Sequence, residues 1–291
     1  MYINTTGIIL RETAYKESSK ILTVLTGGEG KITVNARGAL RRNSKFTAVT
    51  QLLVFSEMTL FSSRDRWTLT EARSIEQFSG LRGDVALLAL GSYFAELAEA
   101  ASDEDSPSVQ LLPLCLNSLF ALSEGIKPPA YVKAAFELRL MAILGFTPLL
   151  SHCAACGSDA VERAFLDFSG GVVYCADCAR AEAAFPGDGG AGVVRDGAGV
   201  VRDGAAVVGE GAVAGSKAVF GSSIALGSGA VLGSGALNAA RYVIGCEPKK
   251  LLSFSVSDAA LRELGAASEG YLLAQLDRRF RTLDYLHKMS F

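Results

Sequence analysis

The stretch His152-Cys153-Ala154-Ala155-Cys156-Gly157, "HCAACG", is answered by Cys175-Ala176-Asp177-Cys178, "CADC", with eighteen residues between Cys156 and Cys175. Four of the chain's six cysteines thus stand in two matched pairs. Two C-x-x-C pairs at a separation of about 15–20 residues form the pattern of a structural zinc site. Each pair sits on a tight knuckle, and a hairpin brings the knuckles together so that four thiolates form a tetrahedron. Here "RAFLDF" and "VVYC" flank Ser169-Gly170-Gly171, which supplies the hairpin. Cys153, Cys156, Cys175 and Cys178 are therefore the expected ligands of one structural Zn2+. Two other readings stand beside it: a metal-free remnant held by packing, and a thioredoxin-like redox site. The redox reading needs only one C-x-x-C and leaves the second pair unexplained. His152 is expected to be a surface neighbour, and Cys115 and Cys246 small buried apolar residues.

The ribbon occupies a small part of 291 residues, enough chain for two or three compact units. Residues 1–82 carry 12 Lys and Arg against 7 Asp and Glu, a balance of +5, so the remainder carries 16 against 23, or −7. The excess is local. Between Glu29 and Glu57 lie Lys31, Arg37, Arg41, Arg42 and Lys45 and no acid. A cationic end on an otherwise ordinary protein points to a polyanion partner, with a solvated basic loop as the bland alternative.

The same end reads as strands. "YINTTGIILR", "SKILTVLT", the turn "GGEG", "KITVNA", "TQLLVFSEMTLF" and "RWTLTEA" give five strands, and so small a sheet must close to hide its edges. An OB-type barrel fits best. From Gly83 the period becomes helical, in "DVALLALGSYFAELAEAA" capped by Asp84, "SVQLLPLCLNSLFALSEG" and "PPAYVKAAFELRLMAILG". Two more helices are expected at the C-terminus, "SDAALRELGA" capped by Ser257 and then "SEGYLLAQLDRRFRTLDYLHKM". The fold class is thus α+β multidomain: an OB-fold barrel over 1–82, a helical domain over 83–150 and 236–291, a zinc ribbon over 151–185, and a Gly-rich insertion over 186–235. Glycines 209, 215, 221, 227 and 233 of that insertion follow a six-residue period. It reads as a flexible linker or as a short β-helical element.

An OB barrel holds single strands on a cationic groove and stacks bases on aromatics. The expected cations are Arg37, Arg41, Arg42 and Lys45 on a mobile loop, with Lys31, Arg64 and Arg66 from neighbouring strands and turns. Tyr15, Phe46 and Trp67 are possible stacking partners, each also readable as core. A second basic group, Lys249, Lys250, Arg278, Arg279 and Arg281, extends the track if it shares a face with the first. Lys133 and Arg139 sit on one helix, as partners for an acidic tail or as solvated charges.

The order of barrel, helices, four-cysteine ribbon and helices resembles the RecO family of bacterial recombination mediators. "GIILRETAYKESSKILTVLTGGEGKITVNARGALRRNSKF" is similar to that family's barrel and basic loop, "TQLLVFSEMTLF" and "LTEA" to its later strands. "FELRLMAILGFTPLLSHCAACG" resembles the helix leading into its first knuckle, and "RRFRTLDYL" its closing helix. The Gly-rich segment departs from the family pattern. The resemblance implies a non-catalytic protein that binds single- and double-stranded DNA, anneals complementary strands, and with RecR helps RecA displace single-strand-binding protein (SSB), whose C-terminal tail the helical region binds. No Walker-type loop, paired-histidine motif or G-x-S-x-G elbow speaks for an enzyme. The competing reading is a zinc-ribbon nucleic-acid module of the transcription machinery. It is disfavoured because Cys153 to Cys178 holds one base, Arg163, against Asp159, Glu162, Asp167 and Asp177. With no export signal and no membrane-spanning stretch, a cytoplasmic, nucleoid-associated protein is expected.

Overall fold

The computed structural model describes residues 1–63, 66–104, 106–107, 109–159, 162–181 and 228–289. Strands β1 (Tyr2–Tyr15), β2 (Ser19–Thr26), β3 (Lys31–Ala36), β4 (Phe55–Ser63) and β5 (Arg66–Glu76) close into a barrel in the order β1-β2-β3-β5-β4. The ladders are antiparallel except at the closure, where β3 and β5 run parallel with Val34 opposite Trp67. This is the OB-type topology expected.

Alternation places Ile9, Leu22, Val24, Ile32, Val34, Met58, Leu60 and Leu69 inside the barrel. Ile8 and Leu10, the intervening residues of β1, face the other way into the helical core, as does Leu25 of β2. The unbroken apolar run Gly7–Leu10 is therefore covered on both faces.

Four helices follow: α1 (Ser79–Arg82), α2 (Val85–Ala101), α3 (Leu111–Ser123) and α4 (Pro129–Ile143). Asp84 caps α2 as expected, its carboxylate accepting from the N–H groups of Ala86 and Leu87 at 2.8 and 3.3 Å. Helix α4 is central, with Phe136 stacked on Phe94 of α2 at a centroid distance of 4.0 Å. The ribbon comprises β6 (Leu149–Cys153), β7 (Arg163–Asp167), β8 (Val172–Cys175), α5 (Ala176–Ala181) and β9 (Gly229–Gly233), its sheet ordered β6-β8-β7-β9. Helices α6 (Ser234–Gly245), α7 (Asp258–Leu276) and α8 (Arg281–Lys288) complete the body.

Three features differ from the sequence reading. Strand β9 comes from within the Gly-rich segment and pairs antiparallel with β7, Phe165 opposite Val231. The earlier repeats, including the linker and β-helical readings of residues 187–227, lie outside the described residues. Helix α6, hidden by the glycines before it, covers the ribbon and α4. At the C-terminus the expected break near Gly265 does not occur. Helix α7 runs through it because it packs along α4, and because the Ser268 hydroxyl donates to buried Glu137 (2.7 Å) instead of capping a new helix. The chain turns at Asp277 (φ 43°) instead.

Candidate nucleic-acid interface and metal centre

Cys153 ends β6, Cys175 ends β8, Cys156 sits in the knuckle between β6 and β7, and Cys178 lies on α5. The four sulfurs lie within 4.8 Å of one another, and the Cys156 and Cys175 sulfurs are 3.8 Å apart. A tetrahedron with Zn–S bonds of about 2.3 Å has edges of about 3.8 Å, so the donor set fits a four-sulfur ion. Charge makes the same point. Burial pushes the Cys153 thiol up, but N–H donors from Cys156, Cys175 and Ala155 bring it down to about 7. Burial and the neighbouring thiols push Cys178 well above the usual thiol range. Four thiols this close disfavour one another's ionisation, and a cation held at their centre would lift that conflict. His152 is exposed, 2.9 Å from the Ser151 hydroxyl, and stands outside the cluster.

At the barrel, the segment between β3 and β4 is pinned rather than mobile. Ala39, Phe46 and Val49 are buried in the barrel core, and consecutive turn hydrogen bonds run from Ala39 to Thr50. That anchoring leaves Arg37, Arg41, Arg42 and Lys45 exposed on its outer side. Among the described residues none of them has a carboxylate within ion-pairing distance. The Leu40 N–H donates to the Ser18 carbonyl, which brings the β1–β2 turn, with exposed Lys16, against the same loop. Sequence reasoning passed over Lys16 because Glu17 follows it and no local pattern ties it to residue 40.

The remaining candidates separate. Arg66 is exposed at the start of β5, one residue before the partner of Val34. Arg64 lies outside the described residues. Lys31 is set at the junction with the helical body: its N–H donates to the Asp103 carbonyl at 3.2 Å and its ammonium to the Glu99 carbonyl at 3.0 Å. Phe46 is core and Trp67 is half-buried against the barrel interior, whereas Tyr15, 43% exposed, lies at the open end of β1. Lys249 and Lys250 occupy a short turn before α7, with Lys250 paired to Glu247 at 3.2 Å.

Lys133 and Arg139 are not solvated charges. Lys133 bridges Glu137 (2.7 Å) on its own helix and Glu269 (2.6 Å) on α7, and Glu269 also meets His287 of α8 at 2.9 Å. Glu137, fully buried, accepts from Tyr93 at 2.9 Å as well. Burial pushes its carboxyl up against the pull of Lys133 and Ser268. Arg139 donates to the carbonyls of Ile244 and Cys246 at the end of α6. Cys115 is buried and its thiol pushed up to about 12, while Cys246 is only half-buried. Beside the Lys133 bridge, Leu90, Ala134, Leu261 and Leu286 floor an apolar pocket of about 540 Å³, with Lys133, Arg262 and His287 also in its lining.

Among the described residues no helix is long and apolar enough to cross a membrane. Residues 1–78 match the family described as Recombination protein O N terminal, and residues 82–190 the one described as Recombination protein O C terminal. The chain is similar to the DNA repair protein RecO of Acetivibrio thermocellus, 28% identical over 289 residues, covering 99% of this chain and 98% of that one. It is 36% identical over 176 residues to the DNA repair protein RecO of Caldicellulosiruptor bescii, covering 60% of this chain and 72% of the relative. The corresponding protein of Symbiobacterium thermophilum is 37% identical over 179 residues, covering 60% and 70%. A closed five-stranded barrel, a helical body, a four-cysteine ribbon and these matches agree: the chain belongs to the RecO family of DNA repair proteins.

Proposed function

We propose that this protein is a DNA-binding recombination mediator, without catalytic chemistry of its own, that anneals complementary strands. With RecR it helps load RecA onto single-stranded DNA coated with SSB. The observation that carries the reading is the set of exposed cations Arg37, Arg41, Arg42 and Lys45 on one pinned loop, none with a carboxylate partner among the described residues, joined by Tyr15 at the end of β1 and Lys16 in the adjoining turn. Guanidinium groups displayed this way hold phosphates without reading bases, so binding is indifferent to sequence and steeply salt-dependent. Arg66 extends the contact along the barrel. Five phosphate contacts give a single-strand salt slope of about −3.5, a loss of roughly a hundredfold between 50 and 200 mM salt.

The ribbon, holding Zn2+ on Cys153, Cys156, Cys175 and Cys178, acts as a brace. When bound, the ion supplies structural stabilisation and leaves no open position for chemistry. The pocket floored by Leu90, Ala134, Leu261 and Leu286 is our choice for the SSB tail: its apolar lining suits hydrophobic side chains, and Arg262, which has no carboxylate partner among the described residues, suits an acidic group, whereas Lys133 and His287 are already held by Glu137 and Glu269. Annealing of complementary strands coated with SSB tests the reading, run with and without chelation of zinc. Salt-sensitive annealing that survives chelation supports it. Absence of annealing with naked and coated strands alike overturns it.

A further inference from the structure

A cleft of about 780 Å³ runs between the barrel and the helical body. Arg11, Glu12 and Lys31 line one wall, Glu96 and Glu99 of α2 the base, and Arg278, Arg279 and Arg281 the other side. Every carboxylate in it already has a partner inside the protein. Glu12 pairs with Lys20, Glu99 pairs with Arg11 at 2.9 Å, and Glu96 accepts from the backbone N–H groups of Arg281 and Thr282 and from the Thr282 hydroxyl. The three arginines are exposed, and among the described residues none has a carboxylate partner for its guanidinium. Arg278 lies instead over the Phe280 ring, 5.6 Å from its centroid. Charge left for a ligand in this cleft is therefore cationic.

Past Arg281 and Thr282 the surface changes character. Those two residues also border an apolar groove of about 410 Å³ lined by Val85, Leu88 and Tyr285, in which Val85 is 62% and Tyr285 52% exposed. Arg281 and Tyr285 stand one turn apart on α8, on the same side of the helix. A guanidinium and an exposed ring one turn apart offer a single strand the two kinds of contact it uses, to phosphate and to base.

We infer that this cleft is a second strand-binding surface, in which Arg278, Arg279 and Arg281 take phosphates of a single-stranded nucleic acid and Tyr285 stacks on one of its bases. The inference rests on the reading that the chain binds nucleic-acid backbones, and it adds a contact on the helical body separate from the barrel loop. The carboxylates serve the surface indirectly: by neutralising Arg11 and capping α8 they fix the cleft wall and leave the arginines free.

The test is fluorescence anisotropy of the full chain with a labelled oligothymidylate between 50 and 200 mM salt. R279Q/R281Q is expected to flatten the log–log salt slope by about 1.4, at about 0.7 per phosphate contact, and Tyr285→Ala to weaken binding by about tenfold while Tyr285→Phe does not. The loop variant R37E/R41E/R42E is expected to lose slope independently, so that the combined variant loses the sum. Cleft variants that match the wild type in slope and affinity, while the loop variant does not, overturn the cleft alone. Wild-type protein with no salt-dependent binding overturns the underlying reading. Displacement of the oligomer from the loop variant by polyglutamate as readily as by oligothymidylate overturns the strand assignment in favour of an acidic peptide. Tyr285 is half exposed, so its replacement reports on the surface even if the arginine variant folds poorly.

Discussion

Leu40 donates its backbone N–H to the carbonyl oxygen of Ser18 across 3.0 Å. Through that bond the turn after β1 and the long connection after β3 become one surface, whose shape is held by buried Ala39, Phe46 and Val49. Charge and support are thus carried by different residues of one segment and separate cleanly by mutation.

R37E/R41E/R42E is expected to reduce the single-strand salt slope by about 2 and to leave the melting temperature nearly unchanged, because all three side chains are exposed and none has a carboxylate partner among the described residues. Phe46→Ala is expected to do the reverse. It removes a buried ring from the barrel core and costs about 3–5 kcal/mol in thermal or denaturant unfolding.

Metal analysis of the purified protein is expected to give one zinc per chain, lost in Cys153→Ser and Cys178→Ser. Substitution with cobalt is expected to give the absorption of a tetrahedral thiolate site. Chelation lowers the stability of the ribbon and of α6 and α7 packed on it, while the barrel, with its own core, keeps its strand signal in circular dichroism.

The Glu269 and Lys133 members of the bridge are expected to contribute evenly between mildly acidic and mildly alkaline pH, whereas Glu137, whose carboxyl burial raises, contributes fully below the ordinary carboxylate value and loses that contribution as pH rises through its folded one. Burial pushes Glu269 up, but the Lys133 ammonium and His287 outweigh it and hold the carboxyl below its ordinary value. Its contribution is therefore complete above about pH 4.3, the unfolded value, and is lost as pH falls through the lower folded one. Lys133 is the mirror case, raised by Glu137 and Glu269 against the effect of burial. Its contribution is complete below about pH 10.4 and is lost as pH rises through the higher folded value. Glu269→Gln is expected to flatten the acid limb of a stability-against-pH curve. Lys133→Met, which leaves Glu137 buried without its cation, is expected to cost about 3–5 kcal/mol at neutral pH.

Gly30 has φ +67°, and a Cβ added there would lie 2.1 Å from the Ser106 carbonyl oxygen. Gly30→Val is expected to destabilise by about 1–3 kcal/mol and to loosen the seam where Lys31 meets Asp103 and Glu99. Faster hydrogen exchange at the Lys31 amide, with exchange inside the barrel unchanged, is the measurement that locates the effect.

The barrel was readable because each strand alternates over a short span between glycine-rich turns, and the ribbon because cysteine spacing constrains geometry directly. The cationic loop was readable as charge, but not its rigidity, since nothing local shows that Phe46 turns inward while Lys45 turns out. Lys16 escaped notice because the turn that carries it meets the loop through Ser18 and Leu40, which nothing local in the chain ties together. Glu137 drew no reading from the sequence, where only Lys133 and Arg139 of its helix stood out as charges. Its burial depends on Tyr93 of α2 and Ser268 of α7 arriving from other helices, beside Lys133 one turn earlier on its own. Gly265 failed to end α7 for the same kind of reason, because packing along α4 outweighs the modest penalty of one glycine.

Strand β9 enters the ribbon from the far side of the Gly-rich stretch, and α5 leaves that ribbon on the near side. The Phe168 N–H donates to the Ser228 carbonyl at 2.9 Å, so the returning chain is fastened within a residue of β9. Both departure and return are thus tied to one small sheet, which shares no ladder with the barrel that carries the cationic loop. A change of length between those anchor points is expected to register first in the β7–β9 ladder, where thermal unfolding of the ribbon would read it.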